Sequence, residues 1–300
     1  MKIAWNLAIE NSASSELTHM FFSLCAEFCS LIGQDVGSLS RQKTCLVMAA
    51  AACLQTARDK MDQQNKLALL EQVLQLVKTC RDIYHQISGS EAATNNSDRA
   101  LVLLNLYEFE ALAKLGRTAE IDLFAKQIVT DKISDVKTVE TMAALAMEPP
   151  CQYKALSKKL LTVALEWHKM SAPIDVTRCS KVFHSLIQLC LGDGNCNDSE
   201  GRDEAWNYFN DALSIIQSAE HLDYPEMEIL WLMTKAWNTG IYGYGTGKLD
   251  QTVKWCRLSM RLLNHLTSFK DNYQPKMQAL FEEISAKMED TDTLDVKKEP

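Results

Sequence analysis

The sequence predicts an all-α fold built from antiparallel helical hairpins, and three observations carry that reading. Apolar residues recur with the 3.6-residue helical period over long stretches such as Lys66 to Ile87, and few alternating runs suggest a strand. Only 11 Gly and 6 Pro occur in 300 residues, so helix breakers are scarce. The stretch Lys235 to Leu263, KAWNTGIYGYGTGKLDQTVKWCRLSMRLL, reads as a helix, a Gly-punctuated turn and a second helix. Gly240 stands where the first helix must be thin and Gly247 closes it, while Thr252, Cys256 and Ser259 sit at i, i+4 and i+7 on the second. A small residue lets two helices approach, and a larger one four positions on fills the gap above it. Such a pattern encodes packing and carries no reaction chemistry.

The same phase recurs upstream. Ala205, Phe209 and Ala212 repeat the spacing 47 residues before Thr252, and Ser157, Leu161 and Ala164 repeat it 48 residues before Ala205. Both intervals exceed the roughly 34 residues of a standard tetratricopeptide repeat, so the hairpins are long or carry loops. The expected architecture is an irregular set of tetratricopeptide-like hairpins stacked into a solenoid over residues 1–284, because each hairpin has faces it cannot bury alone.

Taken in chain order, Met1 to Ile9 is amphipathic, with an apolar Ile3, Trp5, Leu7, Ile9 set expected to lack a neighbour. Ser88 to Arg99 is polar and reads as a loop. Leu101 to Val129 forms a hairpin turning at Leu115-Gly116-Arg117, and Gly192 to Arg202 is a second loop. The segment from residue 285 to 300 is acidic before its VKKEP end and is expected to be a disordered tail. Val296-Lys297-Lys298-Glu299 has the form of a SUMO-conjugation site, a pattern short enough to occur by chance in a solvated tail.

Ten cysteines scatter along the helical stretches without a CxxC, which suits buried thiols in a reducing compartment. No apolar run is as long as a membrane span, and the N-terminus lacks the continuous apolar core of a secretory signal, so an intracellular protein is expected. The formal net charge of −8 and pI of 5.3 argue against direct binding to nucleic acid, which needs clustered Lys and Arg. Any action on chromosomes then runs through other proteins.

Several site-like patterns compete with simple packing. Cys179, His184, Cys190 and Cys196 have spacings outside the compact zinc patterns, so no metal is expected. Asp193, Asn195, Asn197 and Glu204 fit positions one, three, five and twelve of a calcium loop. Asp198 stands where the sharp turn wants Gly, and Glu200 where an apolar residue belongs, which favours a solvated loop. Gly243, Gly245, Gly247 and Lys248 resemble a phosphate cradle superficially, but no strand precedes them. The His, Asp and Glu residues form no legible catalytic constellation, so neither an enzyme nor a cofactor is expected.

The segments RQKTCLVMAAAA (Arg41 to Ala52), LYEFEALAKL (Leu106 to Leu115), YPEMEILWLMTKAWNTG (Tyr224 to Gly240) and WCRLSMRLLNHLTSFK (Trp255 to Lys270) carry a resemblance. In order along residues 3 to 284, the chain resembles the C-terminal part of the testis-expressed-eleven proteins, the animal members of the Zip-four/Spo-twenty-two meiotic family. The resemblance implies a tetratricopeptide-like scaffold in the nucleus, on meiotic chromosomes, that promotes chromosome synapsis and crossover formation. Its implied partners are other crossover and synaptonemal complex proteins, with no membrane role. Members of that family are much longer, so the chain is expected to be a fragment or a short isoform.

The family also has an aromatic-asparagine pair linked to recruitment of the synaptonemal complex central element. The pair in the matching block is Trp237-Asn238. Ala-Trp-Asn occurs as well at Ala4 to Asn6 and Ala205 to Asn207, so the tripeptide is equally readable as a helix-packing device. The alternative function, from a different class, is a generic tetratricopeptide adaptor for a chaperone or trafficking client, which would clamp a peptide carboxylate with Lys, Arg and Asn. The stretch Lys235 to Tyr244 offers mostly aromatic residues and Gly for that purpose.

Overall fold

Helix boundaries follow from capping side chains and left-handed glycines. In the computed structural model, which describes residues 1–33, 35–90, 99–130, 135–192, 199–218 and 224–296, every regular element is an α-helix. They are α1 (Lys2–Glu10), α2 (Ser15–Ile32), α3 (Val36–Asp59), α4 (Gln63–Ser90), α5 (Arg99–Lys114), α6 (Thr118–Thr130), α7 (Val136–Met147), α8 (Lys154–Met170), α9 (Val176–Leu191), α10 (Ser199–Ser218), α11 (Glu226–Gly245), α12 (Leu249–Leu263) and α13 (Lys270–Val296). Asp35, Asp135 and Asp175 each accept the backbone N–H three residues on, at 3.0, 2.9 and 3.0 Å, satisfying donors that the first turn leaves open.

The turn expected at Leu115-Gly116-Arg117 is present, and its hydrogen bonds explain it. Gly116 takes φ +69°, Arg117 N–H donates to Leu112 O at 3.0 Å and Gly116 N–H to Ala113 O at 3.1 Å. Gly247 does the same after α11, at φ +75°, with Lys248 N–H on Gly243 O (2.9 Å) and its own N–H on Tyr244 O (3.1 Å). Both are Schellman closures, in which a left-handed glycine lets the chain turn back onto the last carbonyls.

The chain divides into two compact units, Met1–Ala164 and Leu165–Pro300, where the sequence suggested one array over residues 1–284. Repeat spacing reports how neighbouring helices touch and says little about where longer-range contacts thin out. In the first unit α1 packs on α2, α2 on α3 and α3 on α4; α5 lies against α3 and α4 and carries α6 and α7. Its core holds Leu54, Leu70, Val77 and Leu104 with Cys25, Cys45, Cys53 and Cys80. Burial pushes the Cys45 and Cys53 thiols up to about 12, so they stay protonated and behave as small apolar groups. None of the nine described cysteines is joined in a disulfide.

The second unit packs α9 with α10 and α11 with α12, sets α9 against α11 and lays α13 on α12. Across α8, α10 and α12 all nine residues of the three recurring triplets are buried, from Ser157, Leu161 and Ala164 to Thr252, Cys256 and Ser259. No helix among the described residues is long and apolar enough to cross a membrane.

The α13 backbone stays helical to Val296, into the segment from residue 285 assigned to a disordered tail. That stretch contains neither Gly nor Pro, and Lys287 pairs with Glu283 one turn earlier at 2.8 Å, which supports helix. The first expected loop is shorter than Ser88 to Arg99, since α4 continues to Ser90 and α5 begins at Arg99, and the second ends before Arg202, since α10 begins at Ser199. At the N-terminus, helical spacing turns Ala4 and Ala8 inward, leaves Ile3 and Ile9 exposed, and sets Trp5 edge-on to Phe22 at 5.2 Å. Residues 91–98, 193–198 and 297–300, which include most of the first loop, the start of the calcium-like loop and the conjugation-like lysine, lie outside the described residues.

Glu226 fastens the start of α11 to the link between α12 and α13. Its carboxylate accepts Thr267 N–H (2.7 Å), Ser268 N–H (2.7 Å) and the Thr267 hydroxyl (2.9 Å). The backbone N–H of Ser268, then that of Thr267, hold it at about 2, below the ordinary carboxylate value of 4.5. A depressed carboxylate stabilises the fold above its unfolded value, and the contribution fades as pH falls from there to the folded value. Wild type should therefore melt above Glu226→Gln at neutral pH, with the gap closing between about pH 4.5 and pH 2. A gap that stays constant across that range in thermal melts would exclude this linkage.

Candidate partner-binding site

The α11–α12 hairpin is held at three levels. Near the turn, a Cβ on Gly243 would lie 3.0 Å from Thr252 Oγ1. One turn along, a Cβ on Gly240 would lie 2.7 Å from Cys256 Sγ and 3.2 Å from both Cys256 N and Thr252 O. Farther on, Ser259 Oγ donates to Met233 O at 2.8 Å. Gly240 thus faces Thr252 and Cys256, Ser259 faces Met233, and burial lifts the Cys256 thiol to about 11. The Gly243 contact was missed, although its sequence signal, a glycine three residues after Gly240, was visible.

In the preceding hairpin Ala205, Phe209 and Ala212 are buried. Phe209 and Trp206 meet Trp255 edge-on at 5.4 and 5.2 Å, so the two hairpins share an aromatic joint. Sequence spacing alone does not reveal that joint, because it spans separate helices.

With Ile229, Met233, Ala236 and Gly240 turned to the core, Asn238 lies on the opposite face of α11 and is exposed. Its side chain makes no hydrogen bond among the described residues. Tyr242, one turn on, is also exposed, and Trp237 is half-buried at the edge of the face. The three Trp-Asn pairs share a half-buried Trp and an exposed Asn. They differ in what the indole meets. Trp5 packs on Phe22, and Trp206 packs on Trp255 with Lys254 Nζ 4.2 Å above its ring. Trp237 makes no ring pair, cation–π contact or side-chain hydrogen bond among the described residues.

On α9, Cys179 and Cys190 are buried on one face. His184 lies about 140° away at 100° per residue, stacked on Trp231 at 3.6 Å and 2.9 Å from Glu228. Cys196 lies outside the described residues. Among the described residues no group of three His, Cys, Asp or Glu side chains could hold a metal ion. Glu204, the last residue of the calcium-like set, is on α10 and accepts the Tyr208 hydroxyl at 3.3 Å. Gly243, Gly245, Gly247 and Lys248 belong to the end and closing turn of α11, with Gly243 packed against α12. Lys235, the one cation of the inward stretch considered for a carboxylate clamp, reaches Gln188 at 3.4 Å. No family model matches this chain, and no solved structure matches it.

Proposed function

We propose that the chain is a non-catalytic interaction scaffold in meiosis, acting on nuclear chromosomes to promote homologous synapsis and crossover formation by presenting helical faces to crossover and synaptonemal complex proteins. One observation carries the reading. Of three Trp-Asn pairs, the one in the block that resembles the meiotic family is also the one whose indole has no ring or cation–π partner among the described residues, beside an Asn that faces solvent. A half-buried Trp next to an unpaired amide gives a partner an apolar anchor and a directional hydrogen bond, the combination that concentrates binding energy at interfaces.

Asn238→Gln tests it. The change keeps the amide but displaces it by one methylene, so affinity for central-element proteins should fall by about tenfold or more, while stability moves by no more than about 0.5 kcal/mol because Asn238 is exposed. Unchanged affinity in a folded variant would place Trp237-Asn238 with the packing pairs Trp5-Asn6 and Trp206-Asn207. Affinity purification from meiotic cells with the chain as bait separates the classes: crossover and synaptonemal proteins support the proposal, whereas chaperones alone support the adaptor.

A further inference from the structure

The first unit carries an open groove of about 410 Å3 between α6 and α8. Its apolar lining comes from Leu123 and Val129 on α6 and from Leu160 and Val163 on α8. Lys126 and Lys159 stand one on each wall. Neither lysine has an ion pair among the described residues. The single acid of the lining, Asp122, is engaged by the Tyr153 hydroxyl at 2.7 Å. Leu123 is 72% exposed and adds apolar surface at the rim of the groove. By contrast, the groove lined by α2 and α4 also contains a lysine, but Lys60 is paired there with Glu16 at 3.2 Å. On a chain of net charge −8, an apolar trough flanked by two cations without an ion pair among the described residues stands out.

We propose that the α6–α8 groove docks an amphipathic helix of a partner protein whose apolar stripe is flanked by carboxylates. The apolar side chains of such a helix, spaced at i, i+3 or i+4 and i+7, enter a trough walled by two helices. Its acidic flanks meet Lys126 and Lys159, which select the partner and speed its encounter. The lining of α6 extends from Asp122 to Thr130, about 12 Å at 1.5 Å per residue, or just over two turns of a docked helix. This inference rests on the reading of the chain as an interaction scaffold, and it uses a surface separate from Trp237-Asn238.

The probe is a fluorescein-labelled helical peptide of about 15 residues, with Leu at the stripe positions and Glu on the flanks, beside a twin with Lys for Glu. With the full chain, fluorescence anisotropy should show the Glu peptide binding about tenfold tighter than the Lys twin, a preference that shrinks as salt is raised. Lys126→Glu/Lys159→Glu should reverse the order, and the milder Lys126→Ala should weaken the Glu peptide alone if the double variant melts early. A photo-crosslinker on the peptide should mark α6 or α8. Equal affinities, an order unmoved by charge reversal, or crosslinks elsewhere would overturn the proposal. So would a dimer of the chain that Leu123→Glu dissociates, because the occupant would then be a second copy. Failure here with Asn238→Gln still releasing central-element proteins removes the groove and leaves the scaffold; the opposite pattern removes the meiotic assignment.

Discussion

Replacing Arg58 with methionine should destabilise the chain by about 3 kcal/mol, the largest effect expected of any exposed-edge substitution in the first unit. Glu110 on α5 is the reason. Its side chain is only 6% exposed, and Arg58 at the end of α3 grips it with two parallel bonds, Nε to Oε1 at 2.8 Å and Nη2 to Oε2 at 2.5 Å. The fork ties α3 to α5 across 52 residues of chain. Methionine keeps much of the aliphatic packing and removes the donors, which strands a carboxylate taken out of water. Lys114, 3.9 Å from Oε1, compensates in part, and Arg58 is itself half-exposed, so the cost falls at the low end of the 3–5 kcal/mol typical for breaking a buried pair. The check is urea denaturation with an unchanged m-value. Adding Glu110→Gln to Arg58→Met should recover more than half of the loss, because the neutral amide costs less to bury than an unpaired carboxylate. A loss below about 1 kcal/mol for the single variant would show the pair to be a surface contact in energetic terms.

The sequence made some of this legible and hid the rest, for physical reasons. Helix period, glycine turns and the small-large-small triplets are local, so Gly116, Gly240, Gly247 and the residues around Cys256 could be placed before any coordinates, and all nine triplet positions are buried. The Arg58–Glu110 fork, the Trp206–Trp255–Phe209 joint and the His184–Trp231 stack join helices distant in sequence, and no periodicity encodes them. The α6–α8 groove was hidden because an apolar lining reads as core until the structure shows which part of it stays open. For the tail, acidic composition argued for disorder while each residue in Ser285–Val296 is one a helix accepts; composition measures solvation, and the backbone follows the absence of breakers. Trp237-Asn238 was singled out by resemblance alone. Its solvent-facing amide, and an indole without a ring or cation–π partner among the described residues, are features that no pattern within one helix contains.

Gly240→Leu should lower the stability of the second unit by roughly 3 kcal/mol. A leucine is a better helix former than glycine by somewhat under 1 kcal/mol, so propensity alone predicts a more stable protein. Packing reverses the sign. The first added carbon would already sit 2.7 Å from Cys256 Sγ and 3.2 Å from the backbone at Cys256 N and Thr252 O, and a leucine adds three more carbons to that crowded seam. Sulfur can swing aside but backbone cannot, so α11 must lift from α12. That motion would break the buried Ser259–Met233 bond farther along the same seam. Gly240→Ala grades the claim: the clash remains while the propensity gain offsets part of it, and a net loss of about 1 kcal/mol is expected. Combining it with Cys256→Ala removes the nearest atom, so a double-mutant cycle should show the two changes less harmful together than their sum, by roughly 0.5–1 kcal/mol. A Gly240→Leu protein that melts at or above wild type would mean the two helices do not touch there. The recurring triplet at Thr252, Cys256 and Ser259 would then lose its reading as the seam of a hairpin.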